Sequence, residues 1–125
     1  MAGDYSAEVI DHFDAPRNAG RLAAAPDVIE AEAGSVSQGA RFQLSARIAG
    51  DALSAVCFEA YGCPHCIAAA SWLTERLRGA TIDRLDRWNW REAAEALVVP
   101  AEKRGRLLIL EDAVRRLADA WRRRE

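Results

Sequence analysis

Phe42, Leu44, Ala46 and Ile48 alternate with Arg41, Gln43, Ser45 and Arg47. That period of two commits the middle of the chain to a half-buried strand. Ala49-Gly50-Asp51 then supplies a turn, and residues 53–60 run back as the second arm of a hairpin. The returning arm leads directly into Tyr61-Gly62-Cys63-Pro64-His65-Cys66, after which residues 67–77 take up a helical pattern. A hairpin that passes through glycine and cysteine into a helix rich in small residues constrains the fold strongly. It calls for an antiparallel sheet with that helix packed closely on it.

The flanks extend this frame. Residues 4–13 read as a short amphipathic helix in which Tyr5, Val9 and Phe13 recur every four residues and Asp4 or Ser6 acts as cap. Ala15-Pro16-Arg17-Asn18-Ala19-Gly20 ends it. Residues 27–36 read as a strand, with Ala31-Glu32-Ala33-Gly34-Ser35 open to a second reading as a small, polar loop. In the helix at 67–77, Ile67, Ala70, Leu73 (or Thr74) and Leu77 form one apolar face, and Gly79 follows as a stop. Residues 81–88 form a short helix, and Asn89-Trp90-Arg91-Glu92 has the pattern of a capping box opening another at 90–97. Leu107, Leu110, Val114, Leu117 and Trp121 step by three and four, the core-facing stripe of a long final helix. Strands grouped early and helices grouped late make an α+β chain, one domain over residues 1–125, with helices packed on a small sheet.

Composition excludes several functions. A net charge of −2 gives no global field for nucleic acid, and Arg122-Arg123-Arg124 reads as a solvated helix end. No stretch approaches the roughly 20 apolar residues of a membrane span. Met1-Ala2-Gly3-Asp4 lacks the basic and apolar regions of a signal peptide, so a cytoplasmic location is expected. There are three cysteines. In a cytosolic chain, closely spaced cysteines bind metal or do redox work rather than staple the fold.

Cys63 and Cys66 are therefore the candidate site. With Pro64 at the first helical position, Cys63 falls at the N-cap and Cys66 at the third helical residue. Both sulfurs then face the positive end of the helix dipole, where thiolate is favoured. His65 lies between them as an accessory metal ligand. Cys57, out of register with Val56 and Phe58, reads as a small semi-buried hydrophobe, and His12 as a surface or packing histidine. Three kinds of chemistry remain open for the pair: a metal–sulfur site, with zinc as an alternative metal; a local disulfide, since Cys-Pro-His-Cys is also the motif of DsbA-like thiol oxidants; or two semi-buried small residues.

Further motifs carry a resemblance. Residues 5–13 (Tyr-Ser-Ala-Glu-Val-Ile-Asp-His-Phe) with Pro16-Arg17-Asn18-Ala19-Gly20 resemble the opening of the iron–sulfur cluster assembly scaffold family of the IscU/NifU N-terminal type. Tyr61-Gly62-Cys63 with Ile67-Ala68-Ala69-Ala70-Ser71 resembles its central cysteine turn, and Leu110-Glu111-Asp112-Ala113 its C-terminal helix. The resemblance implies a three-stranded antiparallel sheet with packed helices and a long C-terminal helix. It implies a non-enzymatic scaffold that binds iron, a [2Fe-2S] cluster or persulfide sulfur, with a cysteine desulfurase or an iron–sulfur client protein as partner. A pseudo-scaffold that docks such a partner without holding a cluster is the alternative.

Scaffolds of this family use three cysteines, and this chain matches one of them, Cys63. The first should fall near Val36-Ser37-Gln38-Gly39, where there is no cysteine or aspartate. The third, in a His-Cys pair, aligns with Gly105-Arg106. The proline-rich segment before that pair is only partly matched at residues 98–103. Arg106 cannot ligate iron, and its fixed positive charge is placed to hold a thiolate or a bound anion. A thiolate cluster normally takes four protein ligands, so two chains meeting at their cysteine turns, as a homodimer, would be needed to supply them.

Overall fold

A computed structural model describes residues 5–124. The elements are α1 (Ala7–Asp14), β1 (Val28–Ser35), β2 (Ala40–Ala49), β3 (Ala52–Tyr61), α2 (Pro64–Leu77), α3 (Ile82–Arg87), α4 (Trp90–Leu97) and α5 (Gly105–Arg124), with short 3-10 turns at Val36–Gln38 and Ala101–Lys103. The three strands form one antiparallel sheet in the order β1-β2-β3. This is the expected α+β arrangement with its long last helix.

The hairpin follows from its sequence. Gly50 takes φ 67° in the two-residue connection that pairs Ala49 with Ala52, a conformation that costs glycine little. Phe42, Leu44 and Ala46 are buried on one face, as their alternation requires. The opposite face departs from the half-buried expectation. Gln43 and Ser45 are also buried, because the segment after α1 crosses over them and Leu22 N–H donates to Ser45 Oγ at 3.0 Å. That segment also closes the outer edge of β3: Gly20 N–H donates to Phe58 O and Phe58 N–H to Asn18 O. An edge strand is thereby protected from pairing with other chains.

Residues 31–35 belong to β1, paired with β2 from Val28↔Arg47 to Ser35↔Ala40; the loop reading there is corrected. Their small side chains reflect close packing, with Ala33 buried and α5 lying over the strand. Helix α1 is also rotated from expectation. Ser6 caps it, its Oγ accepting from Val9 N–H at 3.1 Å, while Asp4 lies outside the described residues. The buried positions of the helix are Val9 and His12 rather than Val9 and Phe13, which is exposed. His12 is drawn inward because its Nδ1 bonds Ser71 Oγ on α2 at 2.8 Å.

Helix α2 is buried on nearly every side rather than along one face: Ala68, Ala69, Ala70, Ser71, Leu73, Thr74 and Leu77 are all closed to solvent. It packs on β3, α1, α4 and α5, and the run of alanines lets these neighbours approach. Glu75 and Arg76, near its end, are its exposed positions. Helix α4 opens with the expected capping box of Asn89 and Glu92. Helix α5 buries Leu107, Leu110, Val114, Leu117 and Trp121 against the sheet and α3. Among the described residues, no helix is long and apolar enough to cross a membrane.

Candidate functional site

The start of α2 is where several elements meet. Cys63 is the N-cap, with extended φ −74° and ψ 172°, and Pro64 is the first helical residue. Cys66 N–H and Ile67 N–H both donate to the Cys63 carbonyl, at 2.9 and 3.2 Å. That closes the first turn and brings the two sulfurs to one side, 3.8 Å apart as free thiols. The spacing is about that of two thiolates on one tetrahedral metal with bonds of about 2.3 Å.

Gly62 makes this turn feasible. At φ 151°, a Cβ there would lie 2.7 Å from Cys66 Sγ, so Cys66 seats its sulfur against bare backbone. Arg106, in the first turn of α5, reaches across and places Nη1 3.7 Å from Cys63 Sγ. Its guanidinium also lies over Gly39, where a Cβ would sit 3.2 Å from Arg106 Nη2. Gly39, with φ 84°, ends the 3-10 turn between β1 and β2. Three separated parts of the chain thus converge on Cys63: the turn before β2, the start of α2 and the start of α5.

His65 adds a fourth group. Its Nδ1 is 3.9 Å from Cys63 Sγ, its ring is buried, and Tyr5 packs over it with ring centroids 4.9 Å apart. Its Nε2 has no hydrogen-bond partner among the described residues.

The two thiols sit in different surroundings, and their ionisation is pushed in opposite directions. The pKa of Cys63 is lowered to about 4: the Cys66 thiol donates to its sulfur, the Cys66 backbone and the His65 side chain and backbone add to this, and partial burial opposes them. The Cys66 pKa moves the other way, raised by that same bond, by burial and by the adjacent Cys63 charge, with Arg106 pulling weakly against them. Both shifts favour the charge on the partly exposed Cys63 and the proton on Cys66, which is fully buried.

The structure brings together Cys63, Cys66, His65 and Arg106. Cys57 stands apart on β3, paired with Ser45, its pKa raised by burial. Among the described residues, no group of three or more His, Cys, Asp or Glu side chains is arranged to hold one metal ion. Gly62, Gly39 and Tyr5 are the site residues that motif reading passed over. The two glycines carried a signal, each standing beside a position that the resemblance marks for a ligand.

A profile of the NifU-like N-terminal domain matches residues 4–125. The chain belongs to this family. Among its relatives, the bifunctional protein NifU/MnmA of Rubrobacter xylanophilus is 35% identical over 98% of this chain, which spans 26% of that protein's length. The iron–sulfur cluster assembly scaffold protein IscU of Azotobacter vinelandii is 33% identical, over 89% of this chain and 88% of its own. The solved structure of FiSufU from Fervidobacterium Islandicum AW-1 superimposes with a TM-score of 0.72 at 17% identity, covering 94% of this chain and 98% of the other. At that identity the likeness shows the fold. Within the NifU-like frame, Gly39 and Arg106 lie beside Cys63 near the places that the motif alignment gave to the first and third ligands.

Proposed function

We propose that this chain acts in iron–sulfur cluster assembly as a non-catalytic scaffold in which Cys63 is the working thiolate. It accepts persulfide sulfur from a cysteine desulfurase and anchors iron or a [2Fe-2S] cluster for a client protein. The observation that carries this reading is the setting of Cys63 at the start of α2, with Cys66 Sγ at 3.8 Å and the Arg106 guanidinium at 3.7 Å from its sulfur. Only the thiolate attacks a sulfane sulfur or binds iron, and a fixed cation beside it stabilises an added anionic sulfur. Membership of the NifU-like family supports the scaffold role.

Iron at Cys63 takes its other ligands from Cys66, from His65 after local rearrangement, or from a second chain meeting this one about a twofold axis. A cytoplasmic setting suits the three free thiols, which a reducing compartment keeps unpaired. Anaerobic reconstitution with iron, sulfide and a dithiol tests the reading. Visible cluster absorption, with matching iron and sulfide analysis, is expected in the native chain and lost in Cys63→Ser. A chain that binds neither, but still associates with a desulfurase, would be a docking protein and not a scaffold.

A further inference from the structure

The chain keeps one thiol in contact with Cys63 where motif alignment places two other ligand positions without any. The resemblance puts those positions near Val36-Ser37-Gln38-Gly39 and at Gly105-Arg106, and none of these residues carries sulfur. Cys66 Sγ lies 3.8 Å from Cys63 Sγ, fully buried and seated on the bare backbone of Gly62. Cys63 is partly exposed. A donor approaching from solvent meets Cys63 first, with Cys66 waiting behind it.

We propose that Cys66 resolves a persulfide carried on Cys63, releasing the outer sulfur as sulfide and leaving a Cys63–Cys66 disulfide. This rests on the reading above that Cys63 accepts sulfane sulfur. In the first step the Cys63 thiolate attacks the outer sulfur of a donor persulfide. A Cys63 S–S bond forms, the donor's S–S bond breaks, and the donor thiolate leaves with the electron pair. In the second step the anionic outer sulfur takes the Cys66 proton, and the Cys66 thiolate so formed attacks Cys63 Sγ. The bond between the two cysteines forms, the bond from Cys63 to the outer sulfur breaks, and that sulfur leaves with the electron pair and the Cys66 proton as HS⁻. The sulfane sulfur is reduced by two electrons, and the two thiols supply them by becoming a disulfide. A dithiol reductant restores the pair.

The geometry suits this order. A disulfide needs the sulfurs at about 2.0 Å, so they must close by less than 2 Å. Cysteines at the N-cap and third position of one helix are on the same turn, as in other Cys-x-x-Cys motifs that cycle between dithiol and disulfide. Arg106 stands 3.7 Å from Cys63 Sγ, where it offers a positive charge to an added anionic sulfur. The product, HS⁻, is released beside Cys63, whose thiolate is available to anchor iron once the dithiol reductant has opened the disulfide.

The test treats the reduced, dithiol-free chain with glutathione persulfide under argon. Released sulfide is followed by colorimetry, and Cys63 and Cys66 by mass-mapped peptides. The native chain should release sulfide in step with formation of the Cys63–Cys66 disulfide. Cys66→Ser should hold the extra sulfur on Cys63 about 100-fold longer, because a thiol in contact acts at a far higher effective concentration than one in solution. Equal persulfide lifetimes in the two proteins would overturn the proposal while leaving sulfur acceptance standing. So would sulfide release by the native chain with both thiols still free, a readout that does not depend on how well the variant folds. Absence of added sulfur from Cys63 in both proteins, with no sulfide released, would overturn the acceptance reading itself.

Discussion

Replacing Cys66 by alanine should move the titration of Cys63, by an amount the structure sets. Cys63 ionises at about 4, and the largest single cause is the hydrogen bond it accepts from Cys66, against an ordinary thiol value of about 8.5. A hydrogen bond to a charged group contributes roughly 1.5–3 kcal/mol, and one pKa unit corresponds to about 1.4 kcal/mol. Because S–H is a weak donor, the lower end applies, and Cys66→Ala should raise the Cys63 pKa by about one unit. Cys66→Ser keeps an O–H donor and should shift it less. The assay is the pH dependence of iodoacetamide alkylation at Cys63 in a Cys57→Ser background, mapped by peptide mass. An unchanged midpoint in Cys66→Ala, or a native midpoint in the ordinary thiol range, would refute the S–H···S⁻ pairing. Stability carries the same signature. The folded pKa lies below the unfolded one, so the Cys63 contribution is fully present above about pH 8.5 and is lost as pH falls toward about 4. Cys63→Ser should flatten urea stability across that window.

Other perturbations follow from the same geometry. His12 is held below its ordinary pKa by burial and then by Arg17; its contribution is present above about pH 6.5 and is lost as pH falls through the lowered value, so His12→Gln should flatten the acid limb of a urea-midpoint profile. Gly62→Ala combines a φ of 151° with a Cβ 2.7 Å from Cys66 Sγ and should cost about 2–3 kcal/mol, read as a lower urea midpoint. Asn89→Ala removes half of the capping box on α4 and should cost about 1 kcal/mol, measured in the same way. Arg106→Cys removes the guanidinium that approaches Cys63, puts a third thiol on the facing first turn of α5 and should increase iron retained after anaerobic reconstitution and desalting.

The frame was legible because its signals are local. Alternation at residues 41–48, the turn at Gly50, the strand-to-helix junction at Cys63-Pro64 and the stripe of α5 each depend on neighbours in sequence, and each appears where expected. The departures come from tertiary context. Gln43 and Ser45 are covered by a segment that reaches them from residue 22. His12 turns inward because Ser71, distant in sequence, offers an acceptor or donor, and the polar run at 31–35 pairs because β2 lies beside it. At the site, spacing alone placed both cysteines at the helix start but treated them alike. Their difference arises from depth, since Cys66 is fully buried against Gly62 while Cys63 faces outward beside Arg106. The approach of Arg106 to Cys63 was legible only through the family resemblance, which aligned it with a ligand position; no local pattern relates residues 63 and 106.

The central claim is that Cys63 is the thiolate that receives sulfur, and peptide-mapped mass spectrometry after incubation with a cysteine desulfurase and cysteine tests it most directly. Cys66→Ser is the protein to use, since it retains what Cys63 takes up. One added sulfur on the peptide bearing Cys63, absent when Cys63 is also replaced by serine, is the expected result. Sulfur found on Cys57 instead, or uptake unchanged by loss of Cys63, would contradict the account.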